Sequence, residues 1–406
     1  MPRFDSLAIV SDKQAVVIDI GTAYTKCGFA NEFCPRAIIA SIYDDLETRT
    51  KYQIYDPKRS KEEQIRILAK FLHQIYYKYL LAVPKERRVV IAESVLAPSE
   101  QRDLLAKVLF EQFDVPSVLF APSHLLCCFP FKTQNALVVD VGYTETLVLP
   151  VYEGVPMLNC WEASPLGAKA VHSKLSALLL EKAKLDTCSL GEVPLSDCPD
   201  VLTHKLLEDI MVRACFCTHM DRARKIQTAS LDESGAVEPP VPPPDALYPM
   251  QGDKTLTIPG SVRENASEVL FEYDDDVKSI PQLILDAVLR CPIDLRRVMV
   301  ESILVVGGSA MLPGFLARLK SELLDLLDTK YKAKLPLESV KFYQYQDAAM
   351  QNYMAWLGGS MFGALEVLPY RSLTREEFQK NGQVPDWTNK IAESSGSESS
   401  DNGRKR

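Results

Sequence analysis

A layered α/β fold with two related halves is what this sequence predicts, and three observations carry the prediction. Ala15, Val16, Val17 and Ile18 form an apolar, largely β-branched run that stops at Asp19-Ile20-Gly21-Thr22, so a buried strand passes into a tight turn. The pattern returns 121 positions later as ALVVDVGYT, with Asp140 where the first copy has Asp19. Around both copies, short apolar runs alternate with stretches of helical periodicity, which implies helices layered on a sheet.

The two turns carry the candidate chemistry. Gly21 permits a backbone that other residues would strain, Thr22 offers a hydroxyl, and turn N–H groups can form a nest for phosphate oxygens. Lys26 returns on the following segment with a positive charge. An acid at a strand end, Asp19 or Asp140, can hold a metal ion that bridges phosphates. One such turn is equally a buried strand followed by a glycine; the repeated pair points to phosphate held between two copies facing one cleft.

Bulk properties narrow the class. A chain of 406 residues allows two or three domains, and 47% hydrophobic residues supply a substantial core. A net charge of −8 argues against a nucleic-acid binder that relies on a positive field. Ten cysteines are scattered, and neither Cys127-Cys128 nor Cys215-x-Cys217 has zinc-site spacing, which suits reduced core thiols of a cytosolic protein. No apolar run reaches the length of a membrane span, so no membrane insertion is expected.

In chain order, 62–81 has Ile65, Leu68, Phe71, Leu72, Ile75, Tyr76 and Tyr79 at helical spacing. Residues 88–92 read as a buried strand, Pro98 and Ser99 start a helix running to Phe110, and 118–120 and 123–129 read as strand and helix. After the second turn, 147–152 is its return strand and 167–183 a long helix, followed by a polar connector over 187–198 and one helix over 206–225. EPPVPPP at 238–244 is a surface loop; 256–258 is a strand, and 261–271 and 280–289 are helices. Ile303-Leu304-Val305-Val306 leads into Gly307-Gly308, where a backbone can approach a flat purine closely, and then toward Met311 and a helix over 315–326. Trp356-Leu357-Gly358-Gly359-Ser360 reads as a fourth turn opening the last helix, and the tail from Ser394 has no apolar residue and is expected to be disordered.

Taken together, DIGTAYTKCGFAN, DVGYTET, LPVYEG, RCPIDLRR, LVVGGSAMLPG and WLGGS stand in the order and approximate spacing found in actin. The chain resembles the actin family over about 15–382. The resemblance implies the actin-like ATPase fold shared with sugar kinases, two α/β lobes around a central cleft. Its expected boundaries are 1–135 for the first lobe, 136–345 for the second, 346–390 for helices returning to the first, and 391–406 for the tail. It also implies ATP or ADP with magnesium as a structural ligand, with Asp19, Gly21, Thr22, Lys26, Asp140, Gly142, Gly307, Gly308 and Met311 as contacts and Asp19 and Asp140 toward the metal.

The departures matter as much. Ala23 replaces a glycine of the family's first turn, Tyr143 an acid and Leu147 a histidine of the second, and Ser123 the glutamine that orients the attacking water; the resemblance therefore implies slow or absent hydrolysis. Met211-Val212 and Asn352 replace the residues near ribose and base. The stretch 35–84 is shorter than the family's small lobe, whose loop grips the next subunit, and an acidic run, 271–276, replaces the family's plug. The narrower likeness, in PSVLFAPSHLL, LPVYEGVPMLNCW and GQVPDW, is to the branch at the pointed end of the dynactin minifilament. Its partners would be the actin-related filament subunits and pointed-end accessory subunits of dynactin, and indirectly dynein and cargo adaptors, in the cytoplasm and cytoskeleton. A working actin-fold ATPase and a nuclear chromatin-remodelling subunit are the alternative expectations. Ser123-His124 is expected not to act as nucleophile and base, since neighbours on a helix point apart, and His73, His172, His204 and His219 as packing or surface residues.

Overall fold

The computed structural model describes residues 13–45, 48–187, 191–232, 237–250, 252, 254–272 and 277–385. The tail, the acidic run beyond Glu272 to residue 276 and the end of the GQVPDW motif lie outside them. The chain divides into two compact units, one from residues up to Lys132 together with those from Tyr353 on, the other Thr133–Asn352.

The first unit is built on a six-stranded sheet whose centre is Val16–Ile20, parallel to Val89–Glu93 and antiparallel to Tyr24–Phe29. Ser117–Pro122 and Leu373–Thr374 extend one edge, and Ala37–Ala40 the other. Pleating sends Val16 and Ile18 to one face, where they meet Leu68, Phe71, Leu72, Leu105 and Leu109. The first long helix, Lys61–Gln74, starts where Ser60 accepts the Glu63 N–H, and it continues as a π-helix, Ile75–Leu80, before Leu81 ends it at φ 50°. The 35–84 stretch otherwise consists of the edge strand and a short hairpin, Ile42–Asp45 against Thr50–Gln53.

On the opposite sheet face the expected fourth turn is not a turn. Trp356 to Ser360 lie inside a helix, Met350–Gly363, beyond its non-helical residue Tyr353. The glycines serve proximity instead: a Cβ on Gly358 would stand 1.9 Å from the Leu126 carbonyl oxygen, and one on Gly359 3.0 Å from Val17 Cγ1. The buried Trp356 indole donates to the Val17 carbonyl at 3.0 Å, which anchors this helix on the central strand.

The second unit repeats the plan with Ala136–Val141 antiparallel to Thr146–Tyr152 and parallel to Ile303–Val306; Glu162–Ser164 pairs with the return strand. Its core packs Leu137 and Val139 with apolar residues of Ala168–Lys182, Ile280–Arg290 and Phe315–Asp328. Three expectations fail here. The 187–198 connector contains structure: Lys184–Thr187 and Gly191–Pro194 form a hairpin in a four-stranded sheet with Lys254–Ile258 and Ala246–Met250. Ala246–Met250 is an edge strand, which is why it tolerates Pro249. The single helix over 206–225 is two, His204–Ala214 and Met220–Leu231. Between them Phe216 and Cys217 donate to the carbonyls of Arg263 and Pro313, while Cys215 and Cys217 stay buried and preserve the apolar spacing that suggested continuity. The expected helix over 261–271 is a short one, Gly260–Asn265, followed by a 3₁₀ turn.

Candidate functional site

Of the nine residues expected at a phosphate site, four share one turn and five gather in the other unit. In the first turn Asp19 ends the central strand and faces Lys26 across the hairpin register; their ion pair is 3.2 Å, with each side chain 14% exposed. The lysine expected to meet phosphate thus neutralises the neighbouring acid. Gly21 donates to the Tyr24 carbonyl at 3.0 Å, so its N–H closes the turn and is not part of a nest. The glycine is required, since a Cβ would stand 2.7 Å from that same oxygen. Ser41 buttresses the turn from the next strand region: its Oγ donates to the Gly21 carbonyl at 2.6 Å and lies 2.8 Å from the buried Thr25 Oγ1. Thr22 is exposed at the tip.

The second turn has the same backbone plan and a different set of neighbours. Gly142 donates to the Glu145 carbonyl at 2.9 Å, as Gly21 does to Tyr24. No lysine stands opposite Asp140; its register partner is the buried Leu147. Glu145 is a second carboxyl close to Asp140, and its pKa is raised, by burial first and by the Asp140 charge second. Two carboxyls at one turn are an oxygen-donor set suited to a hard divalent cation. Among the described residues no cluster of three His, Cys, Asp or Glu side chains suited to a metal occurs, so further ligands would have to be phosphate oxygens or water.

Two glycines wedge this turn from behind. Gly307, at φ 99°, leaves no room for a Cβ: it would stand 2.3 Å from the Val141 carbonyl oxygen and 2.8 Å from Asp140 Oδ1. Gly167 lies so close that a Cβ would be 2.6 Å from the Gly142 oxygen, and the N–H groups of Ala168 and Lys169 donate to the carbonyls of Gly142 and Tyr143. Ser309 Oγ donates to the Gly142 carbonyl at 2.7 Å. Gly308 sits beside Asn352, its Cβ position 3.3 Å from the amide oxygen, and Met311 ends the 3₁₀ turn Gly308–Met311, 40% exposed. Of the pair expected to have lost ribose recognition, Met211 is buried and Val212 exposed.

One expectation about histidines needs correction. Ser123 and His124 do not point apart: Ser123 Oγ lies 3.2 Å from His124 Nδ1, and both are buried. The first turn of the helix Ser123–Cys128 lets a serine at its start fold back on its neighbour. His172 and His204 are packing or surface residues as expected, and they share one aromatic cluster. Tyr143 Oη and His204 Nε2 are 2.5 Å apart, and the His172 ring meets His204 edge-on at 5.2 Å and Tyr143 at 5.9 Å. His172 is 5% exposed, and neither ring nitrogen has a hydrogen-bond partner among the described residues. Burial lowers its pKa, reinforced by the proximity of His204 and opposed by Glu208. His204 lies 61 positions from Tyr143, so no local pattern joins them; Glu145, by contrast, stands within the DVGYTET motif five positions after Asp140.

Comparison with known proteins adds to this geometry. The family model described as Actin matches residues 10–389. "Actin-related protein 10" of Dictyostelium discoideum is 28% identical over 445 aligned positions, covering 93% of this chain and 90% of that protein. "Putative actin-29" of the same organism is 25% identical over 399 positions, covering 91% and 95%.

Proposed function

The chain belongs to the actin family, and from that premise we propose that it is a non-hydrolysing scaffold subunit that caps the pointed end of the dynactin actin-like minifilament and supports dynein-driven transport by helping to recruit cargo adaptors. The observation that carries the reading is the second turn. Tyr143 occupies the position of a family acid and its hydroxyl is engaged with His204, while Leu147, in place of a histidine, is buried in the return strand. Neither side chain can hold a water in line with a terminal phosphate, and Ser123, at the glutamine position, is itself buried against His124.

Nucleotide with magnesium is retained in this reading as a structural ligand. Asp140 and Glu145 would hold the cation, which would neutralise phosphate charge there, and Gly142, Gly307, Gly308 and Met311 of the same unit would line the nucleotide. The capping role draws support from the small-lobe stretch, where the hairpin Ile42–Asp45 and Thr50–Gln53 is joined by only four residues. A subunit that is held from behind and offers little in front ends an open-ended assembly. The likeness to an actin-related protein 10 is in keeping with this.

A second reading, a working ATPase, draws on Glu145, a carboxyl with raised pKa that a general base requires. Phosphate release from the purified chain with ATP and magnesium separates the two. Background rates, unchanged in Asp140→Ala, together with co-migration of the tagged chain with the dynactin filament, are expected. Sustained release abolished by Asp140→Ala, or growth of homopolymers, overturns the scaffold reading.

A further inference from the structure

Cys160 and Cys291 are 131 positions apart in sequence, yet the Cys160 thiol reaches the backbone beside Cys291. Cys160 Sγ donates to the Arg290 carbonyl at 3.3 Å, immediately before Cys291, and Cys291 Sγ to the Ala287 carbonyl at 3.4 Å. Each thiol influences the titration of the other, and both residues are buried, at 3% and 1% exposure. They are free thiols here, as are the other described cysteines. Cys127-Cys128 and Cys215-x-Cys217 are too close in sequence to close an unstrained disulfide ring, and Cys34 is exposed.

The pair lies at a joint. Cys160 begins the segment that continues as the strand Glu162–Ser164, and Cys291 follows the helix Ile280–Arg290. Charged side chains already hold this joint: Arg290 reaches Glu162 at 2.7 Å and the Trp161 carbonyl at 3.3 Å, and Lys278 bridges Glu162 at 3.2 Å and Asp286 at 2.8 Å. From Ser164 the chain runs to Gly167, against the carbonyls of Gly142 and Tyr143. Whatever fixes the joint therefore fixes the wall behind the second turn.

We propose that Cys160 and Cys291 are an oxidisable thiol pair that closes to a disulfide across this joint when the protein meets a peroxide or an azodicarboxamide. With peroxide, one thiolate attacks the O–O bond, giving a sulfenic acid and water, and the second thiol displaces the hydroxyl as a second water. With the azo reagent, the two hydrogens and two electrons pass to N=N, giving the hydrazine. Burial pushes the Cys291 thiol up to about 12, so few thiolates form at neutral pH and the pair closes slowly, faster as pH rises. A cross-link over so long a loop restricts the unfolded chain strongly.

The test uses the full chain carrying Cys34→Ser, which removes the exposed thiol that would cross-link separate molecules. After diamide treatment and alkylation under native conditions, non-reducing peptide mapping is expected to find the Cys160 and Cys291 peptides joined, with two hydrogens lost. The melting temperature should rise by at least about 3 °C and fall back with dithiothreitol. Cys160→Ser and Cys291→Ser should each abolish the rise. Because the mapping requires no substitution in the pair, it stands even where a variant folds poorly. Peptides that stay separate while Cys34 of the unsubstituted chain is fully modified, or a cross-link that lowers the melting temperature, overturn the proposal.

Discussion

The turn after Asp19 and the turn after Asp140 follow one backbone plan with different side chains around it. Each closes with the glycine N–H donating to the carbonyl of the residue three positions on. The first carries its own counter-ion, Lys26, at 3.2 Å from Asp19 and is buttressed by a serine hydroxyl. The second gathers two carboxyls, Asp140 and Glu145, and is wedged by the glycines at 167 and 307. A repeated motif thus predicts a repeated backbone but not repeated surroundings: Lys26 stands across the hairpin register in one case and the buried Leu147 in the other.

The largest expected difference between them is steric. Gly307→Ala combines a left-handed backbone with a Cβ inside the Val141 carbonyl, and should destabilise the chain by roughly 3 kcal/mol or more in urea unfolding. Gly21→Ala meets only the Tyr24 oxygen, which its own short turn can move, and should cost roughly 1–2 kcal/mol. Equal losses would mean that the second turn is no more rigidly wedged than the first.

Next in size is the counter-ion. Lys26→Met leaves Asp19 largely buried without its partner and should cost roughly 1–3 kcal/mol, most of it regained when Asp19→Asn is added. Full additivity of the two substitutions would show that the pair is not coupled. The corresponding change in the second turn has the opposite sign. Glu145 has a folded pKa above its unfolded one, so it favours the folded state below the ordinary carboxylate pKa and loses that contribution as pH rises. Glu145→Gln should therefore stabilise the metal-free chain at neutral pH, by about 0.5–1 kcal/mol. It should also shrink the rise in melting temperature that magnesium produces, whereas Asp19→Asn leaves that rise in place. A magnesium effect lost equally in both variants would show that it does not belong to the second turn alone.

Much of this was legible in the residues. The central strands, their return strands, the glycine at 307 and the first long helix follow from β-branched runs, turn residues and helical spacing, because each is decided within a few positions. The actin fold followed from six motifs in order, which no single one would support. What escaped depended on distant contacts. Trp356 to Ser360 read as a turn because two glycines usually break a helix, yet here Leu126 and Val17 press so close that only glycine fits. The 206–225 stretch read as one helix because its break is made by Arg263 and Pro313, far along the chain. Tyr143 with His204, and Cys160 with Cys291, are pairings of the tertiary fold, and only the packing of sheet against helices brings them together.

The smallest expected effect tests whether the aromatic cluster beside the second turn is merely tolerated. His172 faces His204 and Glu208 on the neighbouring helix and the Tyr143 ring on the turn, and its folded pKa is lowered. The sign follows from the proton count: the unfolded chain binds the proton more readily, so the contribution of neutral His172 is present above the ordinary histidine pKa and is lost as pH falls through the folded value. Stability measured between pH 7.5 and 5 should therefore drop, and His172→Phe should flatten part of that drop while changing stability at pH 7.5 by less than about 1 kcal/mol. The first turn has no such group, so Lys26→Met should leave the slope over this interval as it is. If His172→Phe leaves the acid limb unchanged, the proton enters elsewhere and the cluster is only packing; if Lys26→Met alters it, the acid sensitivity does not belong to the second turn.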